Sequence, residues 1–97
     1  MKVLLNGVGR IGKAILRIAN NSTTFKIVAI NELNTNIENI AYSINYDSTY
    51  GRFEDPFTTN KSYIQNKKSK ILVLNEKSLS DIDFKKYEID IVIDASG

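Results

Sequence analysis

Three glycines in Gly7-Val8-Gly9-Arg10-Ile11-Gly12 constrain this chain more than any other feature. They form the pattern G-x-G-x-x-G, directly after the apolar run of residues 2–5 and directly before a segment whose apolar residues recur at helical intervals. Each glycine removes a side chain where the backbone must come close to something. Gly7 permits a tight turn, Gly9 lets an anionic group approach the backbone, and Gly12 lets a helix pack against a strand. A helix that begins there presents free N–H groups and the positive end of its dipole to whatever lies above the turn.

The remaining pattern extends this start into an α/β fold. Ile11, Ala14, Ile15, Ile18 and Ala19 predict the apolar face of the first helix, with Lys13, Arg17 and Asn20 on another face. Residues 20–24 read as its terminating loop and residues 25–30 as a β-branched second strand, closing a βαβ unit. Ile37, Ile40, Ala41 and Ile44 predict a second helix, capped from Asn34, Thr35 or Asn36 and ending near Asn45 or Tyr46. Residues 47–60, with Gly51 and Pro56 and no sustained period, read as an ordered loop. Asn66-Lys67-Lys68-Ser69 joins strands 62–65 and 70–74 as a hairpin turn would, residues 78–87 read as a helical turn or short helix, and residues 89–94 as a last, buried strand. The predicted architecture is a Rossmann-like, doubly wound, mainly parallel and partial sheet with a hairpin insertion.

Glu32 lies 32 − 12 = 20 residues beyond the last glycine, the offset of the acidic residue that accepts hydrogen bonds from an adenosine ribose in dinucleotide sites. A carboxylate there repels a 2′-phosphate, which favours NAD over NADP. The alternative is a carboxylate that caps its own turn. Composition narrows the chemistry further. The chain has no Cys and no His, so thiolate or imidazole catalysis and Cys or His metal ligation are excluded within it. Its 97 residues suit one domain, and 13 basic against 11 acidic side chains leave a net charge of only +2. That charge is spread out and Lys67, Lys68 and Lys70 read as a solvated turn, so no nucleic-acid partner is assigned. No apolar run approaches the roughly 20 residues that span a bilayer, so no membrane partner is assigned either, and the expected compartment is the cytoplasm.

Four blocks carry a resemblance to a known family: Leu5-Asn6-Gly7-Val8-Gly9-Arg10-Ile11-Gly12-Lys13, Ala29-Ile30-Asn31-Glu32-Leu33, Tyr46-Asp47-Ser48-Thr49-Tyr50-Gly51-Arg52-Phe53 and Ile91-Val92-Ile93-Asp94-Ala95-Ser96-Gly97. In this order and spacing they resemble the amino-terminal part of glyceraldehyde-3-phosphate dehydrogenase, and the Tyr46 to Phe53 block is the most specific of them. The resemblance implies an NAD-dependent glycolytic enzyme acting through a Cys thioester and a His that lie outside this stretch, with residues 1–97 as the amino-terminal part of its cofactor domain. It implies that Asn6 braces the glycine turn, that the backbone of Arg10 and Ile11 meets the pyrophosphate while the Arg10 side chain has structural partners, and that Glu32 holds the ribose. The family more often has Asp at that position. Asn31 is grouped with these cofactor residues, and Leu33, the backbone near Lys77, and Ser96-Gly97 correspond to adenine-side walls. Tyr46, Asp47, Ser48 and Arg52 resemble subunit contacts of a homotetramer. Erythrose-4-phosphate dehydrogenase shares these motifs, and a stand-alone nucleotide-binding regulatory module is the rival from another class.

Overall fold

The computed structural model describes residues 1–33, 36–47 and 51–96. In chain order the elements are β1 (Lys2–Asn6), α1 (Arg10–Asn20), β2 (Lys26–Asn31), α2 (Ile37–Asn45), β3 (Tyr46–Asp47), β4 (Gly51–Arg52), β5 (Thr58–Asn60), β6 (Tyr63–Gln65), β7 (Lys70–Leu74) and β8 (Ile91–Asp94), with a 3₁₀ turn at Leu79–Asp81 before the last strand. Six strands form one sheet in the order β5-β6-β7-β2-β1-β8. β7, β2, β1 and β8 run parallel, and β6 and then β5 add antiparallel on the β7 side, so the βαβ unit and the hairpin insertion are both present. Residues 47–60, read as a loop, include Asp47 of β3, its antiparallel partner β4, and β5.

Each sheet face has its own apolar cluster. Val3, Leu5, Ile27, Ile30 and Ile71 face α1 and α2, while Leu4 and Ala29 face Ile82, Phe84 and Tyr87. Strict alternation along β2 would put Ile27 and Ala29 on one face. They are on opposite faces because the register steps from Val3–Ile27 to Leu4–Ala29 and passes over Val28. The step also turns Asn31 to the face of its partner Asn6.

The buried residues of α1 are Gly12, Leu16 and Ala19, so the predicted face holds only in part: Ala19 is buried and Ile15 packs half-buried against the core. Ile11 and Ile18 are 66% and 65% exposed. The glycine decides this: a Cβ on Gly12 would lie 2.4 Å from the Gly7 carbonyl oxygen, so the helix docks where it has no side chain, and Leu16 and Ala19 follow at i+4 and i+7. β8 also departs from its predicted burial, with Ile91 and Val92 exposed, because it pairs with β1 on one side and forms the sheet edge among the described residues. In α2 the Asn36 side chain accepts from the N–H groups of Glu38 and Asn39, as a cap should; Asn34 and Thr35, the other cap candidates, lie outside the described residues.

A buried amide orders the segment after α2. Asn45 donates to the Phe57 carbonyl at 2.9 Å and accepts from the Phe57 N–H at 2.7 Å, which seats the Phe53–Phe57 ring pair. Asn45→Ala is expected to lower stability by about 3 kcal/mol, since it leaves two buried backbone groups unpaired at roughly 1–3 kcal/mol each. A urea midpoint unchanged from the wild type would contradict this.

Candidate functional site

The carboxyl ends of β1, β2, β7 and β8 meet at one edge of the sheet, and a cleft of about 410 Å³ opens there. Asn6, Gly7 and Gly9 form its floor, Glu32 and Leu33 one wall, and Glu76, Lys77 and Ser96 the outer lips. This is where an open α/β sheet binds its ligands. Two other clefts of similar volume lie around the carboxyl end of α1 and hold none of the predicted cofactor residues.

The three glycines do different work. Gly7 has φ +97°, and a Cβ there would come within 2.7 Å of the Ser96 backbone, so both conformation and space demand glycine. Its N–H donates to the Asn31 carbonyl at 2.8 Å, which ties the turn to β2. Gly12 is required by the contact with Gly7 described above. Gly9 is different: its φ is −73°, and an added Cβ would meet nothing within 4 Å. Nothing in the chain's own packing requires glycine here, and the vacant space faces the cleft.

Gly9 is also the N-cap of α1 and brings no side chain to the first N–H groups of the helix. The first turn carries no acidic residue, and among the described residues no acceptor meets the N–H of Arg10 or Ile11. The helix therefore presents unmet donors at its positive end. The Arg10 side chain is exposed, and among the described residues it has no hydrogen bond or ion pair.

Glu32 has the capping role that the sequence offered as the alternative reading, and with it a bond to the glycine turn. One carboxylate oxygen accepts from the Val8 N–H at 2.9 Å and the other from the Leu33 N–H at 3.0 Å. The first bond braces the glycine turn; the second caps Glu32's own turn. Only a carboxylate accepts on both oxygens, and each keeps lone-pair capacity toward the cleft. Leu33 beside it is 62% exposed, an apolar surface at the rim.

Asn31 is 5% exposed and its amide is fully occupied by Asn6 and by the backbone of Glu76. It supports the cleft from beneath. The Asn6 amide joins the ends of β2 and β8, accepting from Asn31 at 2.9 Å and donating to Asp94 at 3.3 Å. Asp94 in turn accepts from the Ser96 hydroxyl at 2.6 Å and the Ser96 N–H at 3.1 Å. The Ser96 hydroxyl, then the Ser96 N–H and the Asn6 amide, hold the Asp94 carboxyl below its ordinary range. Gly97 and Ser48 lie outside the described residues. Sequence reasoning missed Val8, Glu76 and Asp94. Asp94 could have been found from its place at the end of a parallel strand, whereas Glu76 has no motif of its own.

The candidate subunit contacts divide. Asp47 is buried and paired with Lys13 of α1 at 3.2 Å. Tyr46 and Arg52 are exposed, with the Arg52 guanidinium 5.7 Å from the Tyr46 ring centre. No helix among the described residues is long and apolar enough to cross a membrane, and no group of His, Cys, Asp and Glu among them could hold a metal ion.

The family model for the NAD-binding domain of glyceraldehyde 3-phosphate dehydrogenase matches residues 1–97. Glyceraldehyde-3-phosphate dehydrogenase 1 of Kluyveromyces lactis is 38% identical over 97 residues, covering 100% of this chain and 30% of that protein. The corresponding enzyme of Mycoplasma pneumoniae is 32% identical and glyceraldehyde-3-phosphate dehydrogenase 2 of Bacillus subtilis 33%, each over 100% of this chain and 28% of its own length. The chain thus spans about 30% of the curated relatives it matches. With its sheet, its glycine turn and this match over its full extent, the chain belongs to the glyceraldehyde 3-phosphate dehydrogenase family, as its NAD-binding domain.

Proposed function

We propose that residues 1–97 are the amino-terminal part of the cofactor domain in a longer, cytoplasmic and tetrameric NAD-dependent enzyme that oxidises glyceraldehyde 3-phosphate with inorganic phosphate. The observation that carries the cofactor reading is the open space at Gly9, a cradle that a Cβ would fill, under unmet N–H donors at the start of α1. The residues fit a dinucleotide. The backbone of Arg10 and Ile11 receives the pyrophosphate, Glu32 the ribose hydroxyls, and Leu33 with the Lys77 lip flanks the adenine. When bound, NAD supplies a hydride acceptor. The chain has no Cys and no His, so the thioester chemistry belongs to residues outside this sequence. Tyr42 and Tyr46, with ring centres 4.9 Å apart and both exposed, give Arg52 an aromatic neighbourhood suited to a subunit contact.

Cofactor choice tests the assignment of Glu32. A 2′-phosphate would stand against its carboxylate, and Asn31 and Leu33 beside it bring no compensating cation. NAD is expected to bind at least about tenfold more tightly than NADP, a difference of ~1.4 kcal/mol. Calorimetric titration with both cofactors at identical salt measures it. Glu32→Gln should narrow the gap, with a modest fall in melting temperature because an amide nitrogen then faces one of the two N–H donors. Equal binding of NAD and NADP by the wild type would leave Glu32 as a brace and cap only.

A further inference from the structure

The carboxyl-edge amides form a chain with one direction. At one end the Glu76 N–H, which can only donate, meets Asn31 Oδ1 at 2.8 Å. Asn31 Nδ2 then donates to Asn6 Oδ1 at 2.9 Å and, with its other hydrogen, to the Glu76 carbonyl at 2.9 Å. Asn6 Nδ2 donates to Asp94 Oδ1, and that carboxylate also receives both donors of Ser96. A backbone donor at one end and a carboxylate at the other leave each amide a single satisfactory orientation. The chain crosses the ends of four neighbouring strands and joins the Glu76–Lys77 lip to the Ser96 lip beneath the glycine turn.

We propose that Asn31 is the positioning residue of this cleft: its amide fixes the Glu76–Lys77 lip at a set distance from the glycine turn, so that the adenosine half of the cofactor meets a preformed wall. The proposal rests on the reading of the cleft as an NAD site. Residues 75–78 are exposed and belong to no strand or helix, and among the described residues the hydrogen bonds that hold Glu76 all go to Asn31. Asn31 can reach both Glu76 and Asn6 because the register step at Val28 turns it to their face of the sheet. Without a tether, ordering the lip falls to the ligand and weakens binding.

The test is calorimetric titration of the full-length protein with NAD and with AMP, together with amide hydrogen exchange. Asn31→Ala is expected to raise both dissociation constants at least about tenfold and to speed exchange of the Glu76 N–H, while the Leu5 and Ile30 amides of the core keep wild-type rates. Asn6→Ala is expected to have a smaller effect, and the double variant should be no worse than Asn31→Ala alone, since both act through one chain of bonds. If Asn31→Ala does not fold, Asn31→Asp replaces it, keeping size and the acceptor for Glu76 while setting an oxygen against the Asn6 and Glu76 oxygens; the same loss of AMP affinity is expected. Wild-type AMP affinity in the folded variant, or losses at Asn6 and Asn31 that simply add, overturn the positioning role. A wild-type protein that binds no NAD overturns the cofactor reading instead.

Discussion

Gly9→Val is expected to abolish measurable NAD binding, a loss of at least about a hundredfold or ~2.7 kcal/mol, in a protein that remains folded. The two halves of this expectation have separate physical grounds. At φ −73° and ψ −160° the backbone is in a region open to any residue, and a Cβ there meets nothing within 4 Å, so the fold has no steric objection. Valine is a poorer N-cap than glycine, and α1 should weaken by about 1 kcal/mol at most. The ligand fares differently, because the isopropyl group fills the space through which a diphosphate must approach the N–H groups of Arg10 and Ile11. Calorimetry reads the binding and circular dichroism the fold. Unchanged affinity for NAD in a folded Gly9→Val would show that the cofactor does not lie over the turn.

What the sequence made legible follows from how local each signal is. The glycine turn, the βαβ unit and the 66–69 hairpin are written in neighbouring residues, and the structure has all three. The offset from Gly12 to Glu32 works for the same reason, since the length of one βαβ unit brings the end of β2 beside the turn. Errors arose where a non-local contact chose between locally equivalent options. Ile11 and Ile18 are as apolar as Leu16, and the contact of Gly12 with Gly7 decided which face of α1 turned inward. β8 is apolar enough for a central strand, yet its position in the strand order exposes Ile91 and Val92. The step at Val28 has no signature in the alternation of β2, and without it Asn31 would face the helices. The pairing of Asp47 with Lys13 was not legible for the same reason, since the two lie 34 positions apart in the chain.

The same motif supplies the opposite result at its last glycine, and the comparison separates a ligand's requirement from the fold's. Gly12→Ala is expected to cost about 3 kcal/mol of stability, even though alanine is the better helix former by about 1 kcal/mol. The steric term outweighs that gain. The new Cβ would stand 2.4 Å from the Gly7 carbonyl oxygen, which cannot retreat cheaply. The Gly7 N–H is bonded to the Asn31 carbonyl, and Gly7 itself is hemmed in by the Ser96 backbone. α1 must move off β1 instead, which opens the packing of Leu16 and Ala19, and overpacking of this kind costs about 1–3 kcal/mol before that loss is counted. For a domain of this size a net loss of about 3 kcal/mol lowers the melting temperature by roughly 10–20 °C. Scanning calorimetry of Gly12→Ala beside Gly9→Ala checks both, with Gly9→Ala within about 2–3 °C of the wild type. A Gly12→Ala protein that melts with the wild type would mean that α1 does not rest on the Gly7 carbonyl, and the exposure of Ile11 and Ile18 would then need another cause.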